Sequence, residues 1–300
     1  MIDLTGRIAI VTGAGGGLGR EHALLLAKRG ARVVINDVSH DAADTVAEEI
    51  ATAGGVAVAG VASVTDFEAV RAVVEETVAR WGKVDILVNN AGILRDKTFA
   101  KMDLADFRMV VDVHLMGSVN CTKALWDHMR AQNYGRVVMT TSSSGLYGNF
   151  GQSNYGAAKM ALVGLMQTLA LEGDRYNIRV NCIAPTAATK MLQGLLPQDE
   201  IDRLHPGHVS PGVLVLVGED APTRTILCAG AGSFETAHVT LTPGVFVGNR
   251  PDAPEGIVAS WSKISDRRAD FVPESGEGQG RLELKNAGYS RAANGERSRA

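Results

Sequence analysis

The chain has 300 residues and a formal net charge of -3, and 45% of its residues are hydrophobic. That length and hydrophobic content suit one large α/β domain or two small ones with a sizeable core. Because no basic block interrupts the body of the chain, we expect no nucleic-acid partner. No apolar run approaches the ~18 residues that a membrane span needs, so we expect no membrane partner either.

The three cysteines, Cys121, Cys182 and Cys228, lie far apart in the sequence. They form no CxxC pair, and no Cys, His, Asp or Glu cluster has the spacing of a metal site, so no metal is predicted. Isolated cysteines in odd number are typical of proteins from a reducing compartment. The first predicted strand begins a few residues after Met1 with no signal peptide before it, and we therefore expect a cytoplasmic protein.

Short apolar runs alternate with longer amphipathic stretches along the chain. The runs lack strict alternation, as expected for strands that are covered on both faces. Strands are predicted at 7–12, 31–37, 55–60, 84–90, 135–142, 178–184 and, more weakly, 225–231. Helices are predicted at 18–29, 40–53, 66–81, 103–131, 153–173 and 208–218. The alternation predicts an α/β fold with a doubly wound parallel sheet and helices on both faces.

A glycine-rich turn, TGAGGGLG at residues 12–19, follows the first predicted strand and opens the first predicted helix. This is the context that a dinucleotide fingerprint requires. Glycines let the backbone approach a pyrophosphate, and the helix N-terminus supplies free N–H groups. We therefore assign cofactor contacts to Gly13, Gly17, Leu18 and Gly19.

Asp37 ends the second predicted strand, close to ~20 residues after the glycine turn. A carboxylate at this point can accept hydrogen bonds from the ribose hydroxyls and would repel a 2′-phosphate. The next residues, Val38, Ser39 and His40, include no lysine or arginine that would bind a phosphate. The sequence therefore favours NAD over NADP.

Ser142, Tyr155 and Lys159 have a spacing that indicates an active site. Ser142 ends the fifth predicted strand, and Tyr155 and Lys159 are four residues apart at the start of a predicted helix. Residues at i and i+4 share a helical face, so the Lys159 ammonium should lie near the Tyr155 phenol. A nearby positive charge lowers the pKa of a phenol from ~10, which would make Tyr155 a general base or acid.

Two regions interrupt the alternation of strands and helices. Residues 185–207 are long, lack a strand and follow the sixth predicted strand at the carboxyl edge, where ligands bind in such sheets. Their length and apolar side chains predict a substrate lid rather than a plain surface loop. Residues 266–300 are rich in Gly, Ser, Arg and Glu without a clear period, which predicts a flexible tail after a domain over residues 1–265.

Together with NNAG at residues 89–92, these motifs resemble the short-chain dehydrogenases/reductases over about residues 5–240. The resemblance implies a single-domain Rossmann fold with a seven-stranded sheet, and hydride transfer between a nicotinamide and an alcohol carbon. It implies that Tyr155 is the acid/base, that Ser142 holds the substrate oxygen, and that Lys159 lowers the tyrosine pKa and holds the nicotinamide ribose. Further cofactor contacts implied in this way are Asn89, Ala91, Gly92, Pro185 and Thr189.

Two stretches are similar to one branch of that family, VHLMGS at 113–118 and GLYGNFGQSNY at 145–155. This branch comprises the (3R)-3-hydroxyacyl-CoA dehydrogenase units of multifunctional β-oxidation enzymes, also known as 17-hydroxysteroid dehydrogenases. It implies NAD-dependent oxidation of a (3R)-3-hydroxyacyl-CoA, with a fatty acyl or steroid side chain, to the 3-oxoacyl-CoA. Self-association into a homodimer or homotetramer is also implied, through helices 103–131 and 153–173.

The chain departs from the family pattern at three places. His114 stands where the family usually has an asparagine of its proton relay, and the close branch shares this histidine. Neutral imidazole can still hydrogen-bond a water or a carbonyl, and a buried histidine without a chemical role is the alternative. Ser63 stands near the usual adenine-contacting aspartate, and Pro185 is followed by Thr186 instead of the usual glycine.

Three other functions remain as alternatives. A 17β-hydroxysteroid dehydrogenase would oxidise a steroid alcohol instead of an acyl-CoA. A 3-oxoacyl-thioester reductase with the same fold would prefer NADPH, against the prediction from Asp37. A non-catalytic NAD-binding regulator would form no NADH from any alcohol, although it would have no need of Ser142, Tyr155 and Lys159 together.

Overall fold

The structure, a computed structural model, describes residues 1–188 and 197–289. The chain divides into two compact units, Met1–Ala237 and a second unit that begins at His238. The predicted lid over 185–207 falls partly outside the described residues, and Thr189 falls wholly outside them.

The first unit contains one eight-stranded sheet in the order β3-β2-β1-β4-β5-β6-β7-β8. The strands are β1 Ile8–Thr12, β2 Arg32–Asp37, β3 Val56–Val61, β4 Ile86–Asn89, β5 Gly135–Thr140, β6 Ile178–Thr186, β7 Ile226–Gly230 and β8 Ser233–Ala237. β1 to β7 pair in parallel, which confirms the doubly wound Rossmann α/β fold. All seven predicted strands are present, and each of them begins and ends within two residues of its predicted bounds.

The sheet has one strand more than the seven predicted. β8 forms an antiparallel pair with β7, in register Ile226↔Ala237 and Gly230↔Ser233. Its sequence, SFETA, is almost wholly exposed at the edge of the sheet. An exposed edge strand needs no apolar run, so the pattern used for the buried strands did not detect it.

The helices of the first unit lie on both faces of the sheet. They are α1 Gly17–Lys28, α2 His40–Thr52, α3 Phe67–Trp81, α4 Leu104–Val111, α5 Gly117–Ala131, α6 Ser143–Tyr147, α7 Ser153–Gly173, α8 Gln198–Arg203 and α9 Ser210–Val217. Strand residues alternate between two cores: Ala9 and Val11 pack with α1, α2 and α9, and Ile8 and Ile10 pack with α3, α5 and α7. The sheet is therefore covered on both sides, as its apolar strands require.

The predicted helix over 103–131 is not continuous. A π-helical turn, Asp112–Met116, separates α4 from α5. Wider turns of this kind occur mostly as single bulges inside α-helices and often mark functional sites. His114 lies at the centre of this turn, and its side chain is buried.

The strand order predicts where on the sheet a ligand-binding cleft should lie. β1 pairs with β2 on one side and with β4 on the other, for example Thr12↔Asn36 and Val11↔Val88. The order reverses at this point, and ligands of open α/β sheets bind in the crevice beyond the carboxyl ends of the strands there. The glycine turn after β1 and the NNAG motif after β4 meet at this reversal.

The second unit contains α10 Ala253–Ala259, α11 Trp261–Ile264 and α12 Glu277–Asn286. A bridge between Leu241 and Phe271 and a hydrogen bond from Asn286 Nδ2 to the Pro243 carbonyl, at 2.8 Å, join its segments. α12 lies within the predicted tail, with an acidic residue in its first turn and a basic one in its last, which suits the helix dipole. The boundary predicted at 265/266 stays a prediction.

Within the described part of the chain, no helix is both long and apolar enough to cross a membrane. The described residues also contain no group of three or more His, Cys, Asp or Glu side chains that could hold a metal ion.

Candidate active site

A cleft of about 480 Å³ opens at the carboxyl edge of the sheet, where the strand order reverses. It runs from the glycine turn to the first turn of α7. The residues that line it are Gly13, Gly16, Leu18, Asp37, Asn90, Gly92, Ile93, Leu94, His114, Thr140, Ser142, Ser144, Asn149, Gln152, Tyr155, Lys159, Pro185 and Ala187. The predicted catalytic residues therefore line one continuous space with several of the predicted nucleotide-binding residues, namely Gly13, Leu18, Asp37, Gly92 and Pro185.

The glycine turn has the close backbone approaches that its sequence predicts. Gly13 adopts φ +61°, and a Cβ there would lie 2.8 Å from the Cα of Ala91. At Gly19 a Cβ would lie 2.3 Å from the carbonyl oxygen of Gly13. Larger residues at either position would push the turn away from β4 or from its own helix. Both glycines thus shape the turn, although Gly19 itself does not line the cleft.

The N-terminus of α1 faces the same end of the cleft. Its N-cap, Gly16, makes no side-chain capping bond, and the first turn has no acidic residue. Gly17, at φ +53°, starts the helix, and Leu18 lines the cleft beside it. Free N–H groups and the positive end of a helix dipole suit a pyrophosphate.

Asp37 is held by two backbone donors at the end of β2. Its Oδ2 accepts a hydrogen bond from Gly15 N and its Oδ1 accepts one from Ser39 N, both at 3.0 Å. The carboxylate thus has a fixed orientation at the wall of the cleft. Carboxylate oxygens can accept further hydrogen bonds, which is the property that a ribose diol requires.

In the NNAG motif, Asn90 rather than Asn89 lines the cleft. Asn90 Nδ2 donates to the carbonyl oxygens of Thr12 and Gly13, at 2.9 and 3.1 Å, and so joins the glycine turn to β4. Asn89 is buried, and its Nδ2 donates to Thr122 Oγ1 on α5 at 3.1 Å. Ala91 lies behind the glycine turn, where its N donates to Thr12 Oγ1. The predicted contact of Asn89 with the cofactor stays a prediction. Asn90 was not singled out from the sequence, because adjacent residues after a strand point in different directions.

The other predicted cofactor contacts differ in position. Gly92 and Pro185 both line the cleft. A Cβ at Gly92 would lie 2.3 Å from His114 Cε1, so this glycine allows the imidazole to pack against the NNAG turn. Thr189 lies outside the described residues, and its contact stays a prediction.

Ser142, Tyr155 and Lys159 lie together at the end of the cleft beside β5 and α7, here named the reaction end. Ser142 follows β5 and caps α6, where its Oγ accepts a hydrogen bond from Ser144 N at 3.2 Å. Its side chain also lies close enough to the Tyr155 phenol to lower the pKa of that group. Tyr155 and Lys159 lie on the first two turns of α7, and the Lys159 Nζ is 5.4 Å from the centroid of the tyrosine ring.

Lys159 is buried beside Tyr155, and its ammonium has a backbone partner. Lys159 is 3% exposed, and its Nζ donates to the Thr140 carbonyl oxygen at 2.5 Å. Burial lowers the pKa of Lys159 from 10.5 to about 7, because a desolvated ammonium is unfavourable.

The pKa of Tyr155 is raised instead of lowered. Burial is the main cause, and the charge of Asp96 raises this pKa further, whereas the Ser142 side chain lowers it. The direction of this shift is opposite to the one that the spacing of Tyr155 and Lys159 predicts, and Lys159 is not among the groups that shift this pKa. Desolvation of the phenolate depends on burial, which spacing along a helix cannot give. The role of Lys159 towards the phenol stays a prediction.

His114 packs against Tyr155. The two rings meet edge to face, with centroids 5.1 Å apart and an interplanar angle of 87°. The His114 Nε2 lies 2.7 Å from the carbonyl oxygen of Ile93 and 3.1 Å from its N, so one of these bonds forms in either neutral tautomer. Burial, helped by the charge of Lys159, lowers the pKa of His114 to about 3. His114 is thus neutral and fixes both the Ile93 backbone and one edge of Tyr155.

The residues present fit a nicotinamide dinucleotide. Asp37 suits a ribose diol and the α1 N-terminus suits a pyrophosphate, as described above. At the reaction end, Thr140 Oγ1 and His114 Nδ1 are buried and make no hydrogen bond to any described residue. Buried polar atoms of this kind usually have a partner, so further hydrogen-bonding groups are expected at this end of the cleft.

Comparison with known proteins agrees with this geometry. The model of the short chain dehydrogenase family matches residues 7–200. Peroxisomal multifunctional enzyme type 2 of Drosophila melanogaster is 46% identical over 274 residues, which cover 87% of this chain but only 45% of that protein. The structure of that full-length enzyme superimposes with a TM-score of 0.81 at 40% identity, covering 96% of this chain and 50% of its own. The chain therefore spans about half the length of this relative.

Two further similarities extend over nearly the whole length of the other protein. A short-chain type dehydrogenase/reductase of Mycobacterium tuberculosis is 44% identical over 270 residues, 87% of this chain and 94% of that one. A 7α-hydroxysteroid dehydrogenase in complex with NADH superimposes with a TM-score of 0.72 at 32% identity, over 77% of this chain and 95% of its own. On the family match and these identities, the chain belongs to the short-chain dehydrogenases, oxidoreductases that use a nicotinamide cofactor.

Proposed function

We propose that this chain oxidises a (3R)-3-hydroxyacyl-CoA to the 3-oxoacyl-CoA with NAD. One observation carries the proposal: Ser142, Tyr155 and Lys159 line the same cleft as Asp37. The substrate class is supported by the sequence similarity of residues 113–118 and 145–155 to hydroxyacyl-CoA dehydrogenase units. The similarity to the Drosophila multifunctional enzyme is consistent with this class.

Each side chain at the reaction end has a different role in alcohol oxidation. Tyr155 Oη takes the proton of the substrate hydroxyl, and Ser142 Oγ hydrogen-bonds the substrate oxygen as it becomes a carbonyl. A bound nicotinamide would supply the acceptor for the hydride from the carbinol carbon. Lys159 holds the end of β5 through the Thr140 carbonyl, and His114 limits the orientation of the Tyr155 ring.

The raised pKa of Tyr155 has a consequence for the direction of the reaction. Burial favours the neutral phenol, which donates a proton in reduction, over the phenolate, which accepts one in oxidation. The oxidation rate should therefore increase as the pH rises, and the reverse reaction should be faster near neutral pH.

The preference for NAD follows from the charge and fixed orientation of Asp37. A 2′-phosphate at the same position would meet this carboxylate, which two backbone donors hold in place. The described wall around it offers no arginine or lysine among its lining residues other than Lys159, which lies at the reaction end. We therefore propose NAD and not NADP as the cofactor.

The test is NADH formation by the purified chain at alkaline pH. Matched (3R)- and (3S)-3-hydroxyacyl-CoA esters and a 17β-hydroxysteroid would each be offered with NAD and with NADP. We expect the highest kcat/KM for the (3R) ester with NAD. A clear preference for NADP would instead support a 3-oxoacyl-thioester reductase. A preference for the steroid would support a hydroxysteroid dehydrogenase, and no turnover of any alcohol would support a regulator.

We also propose that the chain forms a homodimer or homotetramer through α5 and α7. A groove of about 200 Å³ lies between these helices and is lined by Trp126, Leu165 and Leu169 together with four neighbouring side chains. Apolar side chains in a surface groove favour association with another surface. Light scattering of the wild type and of a Leu169→Glu variant tests this, because the variant should shift towards the monomer.

A further inference from the structure

Three of the polar side chains that line the reaction end of the cleft contact one another: Ser144, Asn149 and Gln152. They form one network centred on Gln152. Ser144 Oγ and Asn149 Nδ2 both donate to Gln152 Oε1, at 2.8 and 3.1 Å. On the other side, Gln152 Nε2 donates to Asp96 Oδ2 at 2.6 Å.

This network fixes which way the Gln152 amide points. A carboxylate only accepts hydrogen bonds, so Asp96 must face the NH₂ group of the amide. The carbonyl oxygen of the amide has two lone pairs, and Ser144 and Asn149 occupy both. One N–H of Gln152 bonds Asp96, and no acceptor for the other is found among the described residues. Gln152 thus keeps one N–H donor that no described residue accepts, on a side chain that lines the cleft.

The donor lies close to the reacting group of a substrate. Gln152 is the N-cap of α7 and precedes Tyr155 by three residues, and both side chains line the cleft. Three residues correspond to about 4.5 Å along a helix axis. A substrate whose hydroxyl lies between Ser142 and Tyr155 therefore has its neighbouring carbons within reach of Gln152.

We propose that Gln152 is a specificity-determining residue whose Nε2–H donates to the thioester carbonyl of the substrate. The inference rests on the proposed function and names the feature of the acyl-CoA that the cleft recognises. In a 3-hydroxyacyl thioester the hydroxyl carbon and the thioester carbonyl are separated by one methylene. Ser142 and Tyr155 bind the first oxygen, and the second requires a donor at a short distance from them. Asp96, Ser144 and Asn149 are positioning residues, since they act by orienting the amide.

The same contact explains why a glutamine suits this position better than a charged residue. A carbonyl oxygen needs a donor, and Asp96 alone would present only acceptors. Gln152 lies between Asp96 and the cleft and supplies an N–H where the carboxylate would supply none. A 17-hydroxysteroid has no carbonyl one methylene away from its hydroxyl, so the contact favours an acyl thioester over a steroid alcohol.

A matched pair of substrates tests the contact. One is (3R)-3-hydroxybutanoyl-CoA, and the other is its thioether analogue, in which a methylene replaces the thioester carbonyl. For Gln152→Met, we expect kcat/KM for the thioester to fall by about tenfold, because a buried acceptor loses its donor. The rate for the thioether should change little. The wild type should prefer the thioester by a similar factor, and the variant should lose that preference.

Two controls accompany this measurement. Gln279→Met, in α12 of the second unit, replaces an exposed glutamine that bonds only Glu283 among the described residues, and both rates should be unchanged. Gln152→Glu keeps the shape of the side chain but removes the donor and adds a charge beside Asp96. It should lower the thioester rate at least as far as Gln152→Met, which keeps the inference testable if the methionine variant does not fold.

The outcomes distinguish the two proposals. Equal losses on the thioester and the thioether would show that Gln152 acts through Tyr155 or through folding, and would overturn the inference. An unchanged thioester rate in both Gln152 variants would overturn it as well, while leaving the proposed function intact. If the wild type oxidises no hydroxyacyl-CoA with NAD, the proposed function fails and the inference fails with it.

Discussion

At the nucleotide end of the cleft, the wall is held by hydrogen bonds to the backbone. Asn90 donates to Thr12 and Gly13, and Asp37 accepts from Gly15 and Ser39. At the reaction end, burial shifts the pKa values of the ionisable side chains from their usual values. Lys159 has a pKa of about 7, and the Tyr155 pKa is raised.

This difference indicates that the nucleotide end serves to bind the cofactor and that the reaction end serves the chemical step. Side chains at the nucleotide end bond the backbone around the glycine turn and lie away from Ser142 and Tyr155, so changes there should alter cofactor affinity. Desolvated groups respond strongly to charge and to pH, so changes at the reaction end should alter turnover, pH dependence and stability. The predictions below test this division.

The largest expected effect comes from Tyr155→Phe at the reaction end. Loss of the proton acceptor should lower kcat by about 10²- to 10⁴-fold, the usual contribution of general acid–base catalysis. The affinity for NADH, measured by its fluorescence on binding, should be almost unchanged. Tyr176→Phe is the matched control, since Tyr176 lies on the surface against Arg130 and should leave kcat as it is. Substantial turnover by the Tyr155 variant would overturn the proposed mechanism.

Lys159 should make the stability of the protein depend on pH. In the folded chain Lys159 releases its proton near pH 7, whereas in the unfolded chain it keeps the proton up to about 10.5. Between these values the unfolded state binds more protons, so the free energy of unfolding should rise with pH by several kcal/mol. Urea unfolding of the wild type and of Lys159→Met at several pH values measures this.

The Lys159→Met variant should lack that increase. Because methionine has no charge to desolvate, its advantage over lysine should be greatest near pH 7 and should vanish towards pH 10.5. If the two proteins show parallel stability curves over this range, Lys159 is not buried as a neutral amine.

At the nucleotide end, Asp37→Ser should weaken NAD binding without slowing the chemistry. We expect KM for NAD to rise by about tenfold, because hydrogen bonds to a charged acceptor are lost, with little change in kcat. NADP should become a better cofactor as the repulsion disappears. Asp41→Ser, on the exposed first turn of α2, is the control. A fall in kcat at unchanged KM would mean that the two ends are not separable.

The smallest expected effect is a shift of the pH profile in Asp96→Asn. Burial is the main cause of the raised Tyr155 pKa, and the Asp96 carboxylate adds to it. Removing that charge should move the rising limb of kcat/KM for oxidation to lower pH, by less than about one unit because Asp96 is exposed. Asp103→Asn, which keeps a cap on α4, should leave the profile unchanged. A shift to higher pH would contradict the assigned sign.

Most of the sheet was predictable from the sequence because buried parallel strands leave continuous apolar runs. β8 was missed since an edge strand can be polar, and α6 was missed since five residues are too few for a helical period. The π turn at Asp112–Met116 was hidden because the apolar pattern continues through it from α4 to α5. Asn90 was overlooked beside Asn89, although the doubled asparagine in NNAG marked both.

The position of Gln152, about one helical turn before Tyr155, already indicated in the sequence that its side chain could lie near the active site. Its importance became visible only through Asp96, which is 56 residues away in the sequence. A hydrogen bond over such a distance has no periodicity in the sequence and depends on how two loops meet above the sheet.

The sequence by itself determined the positions of the seven parallel strands along the chain, the glycine turn, Asp37 and the spacing of Ser142, Tyr155 and Lys159. These follow from local patterns, because strand and helix periods and turn chemistry act over a few residues. Only the tertiary structure decided which asparagine faces the cleft, how the Gln152 amide is oriented, and which way the pKa values of Tyr155 and Lys159 move. Those properties depend on burial and on partners distant in the chain, which close packing alone brings together.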